Sequence, residues 1–160
     1  MRKYILPLIA SLACATPALA SDTRVEVRGG EIWSNGTTEA TYGAAGGIDF
    51  DVAPTVFAGV EVSADKIDES GTKVAYGATG RLGFKATPTT RVFVAGGYTT
   101  EPCDFCDGNW HAGAGIEQGI MGPLYLKAEY RHYFPRNGFA DSNAVVGGVG
   151  VRFLSGSHRD

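Results

Sequence analysis

Two cysteines three positions apart, three histidines and a dense set of ionisable side chains are the groups with chemistry to offer. Cys103-Asp104-Phe105-Cys106 has the C-x-x-C spacing of redox and metal sites. A redox pair needs a helix start or a nearby cation to favour the thiolate. Here Glu101, Asp104 and Asp107 disfavour it, and no helical pattern follows. As a metal site the pair lacks two further ligands, and only His111 is near in sequence. In an oxidising compartment the two thiols read as a structural disulfide within a loop. His111, His132 and His158 are scattered, and no serine lies near His132 in its segment, which makes a lipid-directed Ser/His/acid site the lesser reading. No helix follows any glycine cluster, so no phosphate-cradling loop is expected. The expectation is no enzyme and no cofactor.

The remaining ionisable residues fall at alternate positions. Glu26, Arg28, Glu61, Arg81, Glu117, Lys127, Glu129, Arg131 and Arg152 share one face of their segments, with Asp49, Asp51, Lys85 and His111. Small residues, glycine above all, sit between them. This periodicity of two recurs in eight stretches, 24–33, 40–51, 55–64, 73–85, 91–99, 109–118, 124–133 and 144–153, and predicts eight strands. The connections alternate: 51–54, 86–89 and 120–123 are short and carry proline, whereas 34–39, 65–72, 100–108 and 134–143 are longer and polar. That rhythm predicts an all-β, antiparallel, up-and-down barrel with its long loops at one end.

Which face meets what solvent follows from the aromatics. On the apolar face Trp33, Tyr42, Tyr76, Tyr98 and Trp110 gather at the long-loop end, and Phe50, Phe84 and Phe153 at the short-turn end. Small aliphatic residues fill the space between. Two aromatic girdles around an apolar band describe a surface in lipid, whereas a water-soluble core would hold its aromatics in the middle. The charged face must then fill the interior, where glycine leaves room for arginine. The ionic residues read as a salt-bridge plug; an ion path is the rival reading. Glu31 shares the parity of Trp33 and would face lipid near the rim unless a bulge at Gly29-Gly30 turns it away.

Arg2 and Lys3, an uncharged stretch from Tyr4 to about Ala15, and Ala18-Leu19-Ala20 have the three parts of a secretory signal, with cleavage expected between Ala20 and Ser21. A lipid anchor at Cys14 is the lesser reading, because Ser11-Leu12-Ala13 fits a lipobox poorly. Removing residues 1–20 takes two of the 14 bases and none of the 17 acids, and the resulting net charge of −5 argues against nucleic acid. Residues 21–153 are expected to form one barrel domain and 154–160 a periplasmic tail.

Arg24-Val25-Glu26-Val27-Arg28, Leu126-Lys127-Ala128-Glu129-Tyr130-Arg131 and the ending Gly148-Val149-Gly150-Val151-Arg152-Phe153 resemble opacity-type small outer-membrane barrel proteins, often grouped with the porin family. The resemblance implies an eight-stranded transmembrane barrel in a Gram-negative outer membrane with exposed loops. It also implies insertion by the barrel-assembly machinery, for which Phe153 is the terminal aromatic. The expected role is structural or surface-interacting, with outer-membrane lipid around the barrel and an extracellular ligand on loops such as acidic 65–69. A narrow porin-like channel and a soluble lipocalin-like carrier with its apolar face inward are the alternatives.

Overall fold

The computed structural model describes residues 21–100, 108–134 and 141–155. Among them no helix is long and apolar enough to cross a membrane. The eight strands are β1 (Ser21–Ser34), β2 (Thr37–Ala53), β3 (Val56–Ile67), β4 (Ala75–Lys85), β5 (Thr90–Thr99), β6 (Asn109–Met121), β7 (Leu124–Phe134) and β8 (Ser142–Ser155). Each pairs antiparallel with its neighbour, and β8 closes onto β1. Closure leaves no sheet edge, which backbone amides need where no water is available.

The ladders run almost without interruption. Register shifts occur only between Asp51 and Ala53 and between Gly119 and Met121, both beside short turns. The turns are correspondingly tight: Pro54-Thr55, residues 86–89 and Gly122-Pro123. β8 continues past Phe153, and Leu154 and Ser155 pair with Asp22 and Ser21. The expected tail therefore begins later, and residues 156–160 lie outside the described residues.

One expectation needs correction. The connection at 34–39 is not a long loop. Ser34 pairs with Thr37, and only Asn35 (φ 50°) and Gly36 (φ 82°) turn the chain. Both adopt the left-handed conformation that a two-residue hairpin demands, which Asn-Gly supplies at little cost. Glu31 keeps the parity of Trp33, since no bulge interrupts Gly29-Gly30. Both ladders of β1 pass through it in register, and Glu31 faces outward and exposed.

Alternation along each strand sets the two surfaces. Val27, Val62, Leu82, Val94 and Val149 point outward and are exposed, while Arg24, Glu61, Arg81 and Lys127 point inward and are buried. The interior holds charge and the exterior holds aliphatic side chains, the reverse of a water-soluble barrel.

Candidate functional site in the barrel lumen

Inward positions of all eight strands supply a connected ionic network, with Lys85 and Asp51 as a separate pair beside it. Together these are eight cations, Arg24, Arg28, Arg81, Lys85, Arg91, Lys127, Arg131 and Arg152, and eight carboxylates, Asp22, Glu26, Asp49, Asp51, Glu61, Asp65, Glu117 and Glu129. The paired charges thus balance although the chain is acidic. A buried charge left alone costs several kcal/mol, so balance here is a condition of folding.

Glu61 on β3 is the hub. One oxygen takes Arg24 Nη1 at 2.7 Å, the other Arg28 Nη1 at 2.8 Å and Arg131 Nη2 at 3.3 Å. Lys127 stands 3.7 Å away and is hydrogen-bonded to Glu26, which also accepts from the Tyr125 hydroxyl at 2.8 Å. Towards the long loops, Arg28 makes a two-pronged contact with Asp65, with Nε donating at 2.8 Å and Nη2 at 2.5 Å. Arg131 is held by Glu129. The two nitrogens of His111 lie 3.0 Å from the Thr79 hydroxyl and 3.2 Å from that of Thr99.

Towards the short turns, cations also lie against rings. Arg81 bonds Glu117 at 2.6 Å while its guanidinium carbon sits 4.2 Å from the Phe93 ring centre and 5.2 Å from that of Phe57. Arg152 bonds the other Glu117 oxygen and lies 4.9 Å over Tyr125. Arg91 bonds Asp22, and Lys85 bonds Asp51 at 2.6 Å. Such stacking stabilises a cation by about 0.5–2 kcal/mol. The rings need absent side chains opposite: a Cβ on Gly115 would come 2.5 Å from Phe93, and one on Gly150 2.5 Å from Tyr125. Arginine, ring and glycine together fill the cross-section that eight strands enclose.

Every lumen residue anticipated from parity, Glu26, Arg28, Glu61, Arg81, Glu117, Lys127, Glu129, Arg131 and Arg152, belongs to this network. Asp22, Arg24 and Arg91 belong too and were overlooked, although Arg24 is fully buried. Parity was sufficient for Arg24, and Asp22 needed only an earlier strand start. Phe57, Phe93 and Tyr125 are buried inward as well, and the two-girdle pattern of the sequence gives no sign of them. Asp65 was assigned to a loop contact and instead points inward to Arg28.

On the outer surface, Tyr42, Tyr76, Trp110, Phe84 and Phe153 are exposed, and Trp33, Tyr98 and Phe50 half-buried. Tyr98 meets Trp110 edge-on at 5.4 Å, and Trp33 meets Tyr130 at 6.4 Å. Tyr130 and Phe134 add to the long-loop girdle. His132 also faces outward, with Nδ1 2.8 Å from Asn143 Oδ1, and no serine hydroxyl is bonded to it. The described residues contain no cluster of His, Cys, Asp or Glu suited to a metal. Cys103 and Cys106, and the segment ending at Ala20, lie outside the described residues.

An apolar belt between aromatic girdles, around a closed and ion-paired interior, defines the class: an eight-stranded transmembrane β-barrel of the outer-membrane kind. No family model matches the chain, and no curated protein sequence is significantly similar to it. Solved structures share the fold. The N-terminal β-barrel domain of Pseudomonas aeruginosa OprF aligns over 82% of this chain and 97% of its own, with a TM-score of 0.60 and 17% identity. The Yersinia pestis outer-membrane protein Ail, in a phospholipid nanodisc, aligns over 85% and 100%, with a TM-score of 0.57 and 10% identity. The outer-membrane enzyme PagL aligns over 80% and 98%, with a TM-score of 0.57 and 12% identity. Identities this low establish the fold alone.

Proposed function

We propose that this barrel is a surface-interaction protein: the strands anchor it in the outer membrane and the connections at the long-loop end make contact outside the cell. The observation that carries this reading is the lumen. Among the described residues, paired charges and stacked rings line it from Asp22 to Asp65, where a carrier's ligand would need apolar walls. A channel would need mobile charge or a water column, and each cation of the network has a carboxylate partner. Activity then belongs to the rim. Of the acidic run at 65–69, Asp68 and Glu69 are exposed and available. Ail, whose name denotes attachment and invasion, is a barrel of this shape. Membership of the opacity-type group is part of the proposal and rests on the three sequence stretches. Insertion by the barrel-assembly machinery, with exposed Phe153 as its signal, rests on the same resemblance, and absence of enzyme activity is proposed from the lack of a serine near His132 in its strand.

The test is a loop-replacement variant in which 68–74, 100–108 and 135–141 each become a short Asn-Gly turn. Intact cells carrying either form are compared for binding to host-cell surfaces and matrix proteins. Loss of binding, with the fast-migrating unboiled band retained, supports the reading. Equal binding by both forms, or none above vector-only cells, overturns it.

A further inference from the structure

The outward face of β1, β8 and β7 carries two features that the lumen does not explain. Gly29 on β1 pairs with Gly147 on β8, which pairs with Ala128 on β7. Together they floor an apolar groove of about 640 Å³ walled by Val27, Val149 and Leu126. Nothing in the backbone requires glycine here. A Cβ on Gly147 would meet its nearest atoms at 3.9 Å and one on Gly29 at 3.5 Å, ordinary contact distances. Glycine weakens a strand, so an open groove in the lipid-facing belt asks for an occupant.

The second feature is Glu31. It lies two residues above Gly29 on the same face, between Ala40 and Val145, exposed and with no ion pair or hydrogen bond among the described residues. Trp33, two residues further on, marks the membrane interface. An unpaired carboxylate at headgroup depth, directly above an acyl-sized trough, complements a positively charged headgroup.

We propose that this face holds one lipid whose headgroup bears an ammonium: an acyl chain lies over Gly29, Gly147 and Ala128, and the ammonium pairs with Glu31. The inference rests on the barrel being embedded in lipid, because only there are acyl chains the groove's surroundings.

Trp33 reports on the site once Trp110→Phe leaves it the only tryptophan. The barrel is placed in phosphatidylglycerol nanodiscs carrying a small fraction of acyl-brominated phosphatidylethanolamine or, in parallel, brominated phosphatidylglycerol. The ethanolamine lipid is expected to quench Trp33 as if enriched roughly two- to fivefold, the size an exposed ion pair gives. Glu31→Gln should equalise the two lipids and Gly147→Leu should abolish the enrichment. Gly96→Leu, outward on β5 with a Cβ contact of 3.6 Å and away from the groove, should leave it intact. Equal quenching in the parent, or a preference that survives Gly147→Leu, overturns the proposal. So does a dimer on native gels that Gly147→Leu removes, which would make the groove an interface between two copies. Absence of quenching by either lipid would instead refute the embedding itself.

Discussion

Replacing Glu61 by glutamine tests the lumen directly. The substitution keeps the shape and removes one negative charge from among Arg24, Arg28, Arg131 and Lys127. Three of those cations keep a close partner: Arg28 has Asp65, Arg131 has Glu129, and Lys127 has Glu26. Arg24 does not. Its other carboxylates, Asp49 and Glu26, stand at 3.5 and 3.7 Å, and its Nε and Nη2 already lack hydrogen-bond partners. Glu61→Gln therefore strands one fully buried guanidinium, a loss of about 3–5 kcal/mol. The assay is urea unfolding in lipid vesicles, followed by disappearance of the fast-migrating band. Adding Arg24→Met removes the stranded charge and should recover part of the loss. A change below about 1 kcal/mol, the range of a solvated pair, would refute the claim that this interior is low in dielectric.

Tyr125→Phe deletes the hydroxyl donated to Glu26 and should cost about 1–2 kcal/mol in the same titration; no change would show that Glu26 is satisfied by Lys127 alone. Gly150→Ala drives a methyl into the Tyr125 ring and should cost about 1–3 kcal/mol, with partial rescue by Tyr125→Leu, since the three nearest atoms all belong to that ring. Planar-bilayer recordings of the purified barrel should show no large, stable conductance, and such a conductance would contradict the plug. Maleimide labelling of intact cells should leave Cys103 and Cys106 unmodified until a reductant is added; reaction of both beforehand would exclude the bridge.

Much of this structure is legible in the residues. Strict alternation makes strand parity readable, because a one-residue slip would send Arg81 into lipid and Leu82 into the lumen. Outward aromatics mark height for the same reason. What was misread concerns places where two local signals compete. The polar run 34–39 reads as a loop by composition, yet Asn-Gly makes a two-residue hairpin, as short as the turns at the opposite end. Phe57, Phe93 and Tyr125 are aromatic at inward positions, where arginines stack on them, and only parity marks them as interior. The partners within the network were not legible at all. Which carboxylate each guanidinium reaches depends on strand tilt around a closed cylinder, a property that no local window contains.

The ion pairs tie together strands that are remote along the chain. Arg24 on β1 reaches β3, Asp22 on β1 reaches β5, and Glu26 on β1 reaches Lys127 on β7, 101 residues later. A half-assembled curtain of β1 to β6 would hold Glu26 with its lysine still missing, an arrangement that hydrocarbon penalises heavily. Assembly inside the bilayer is therefore forced towards a single concerted event, in which the first and last hairpins meet before the wall can settle among the lipids.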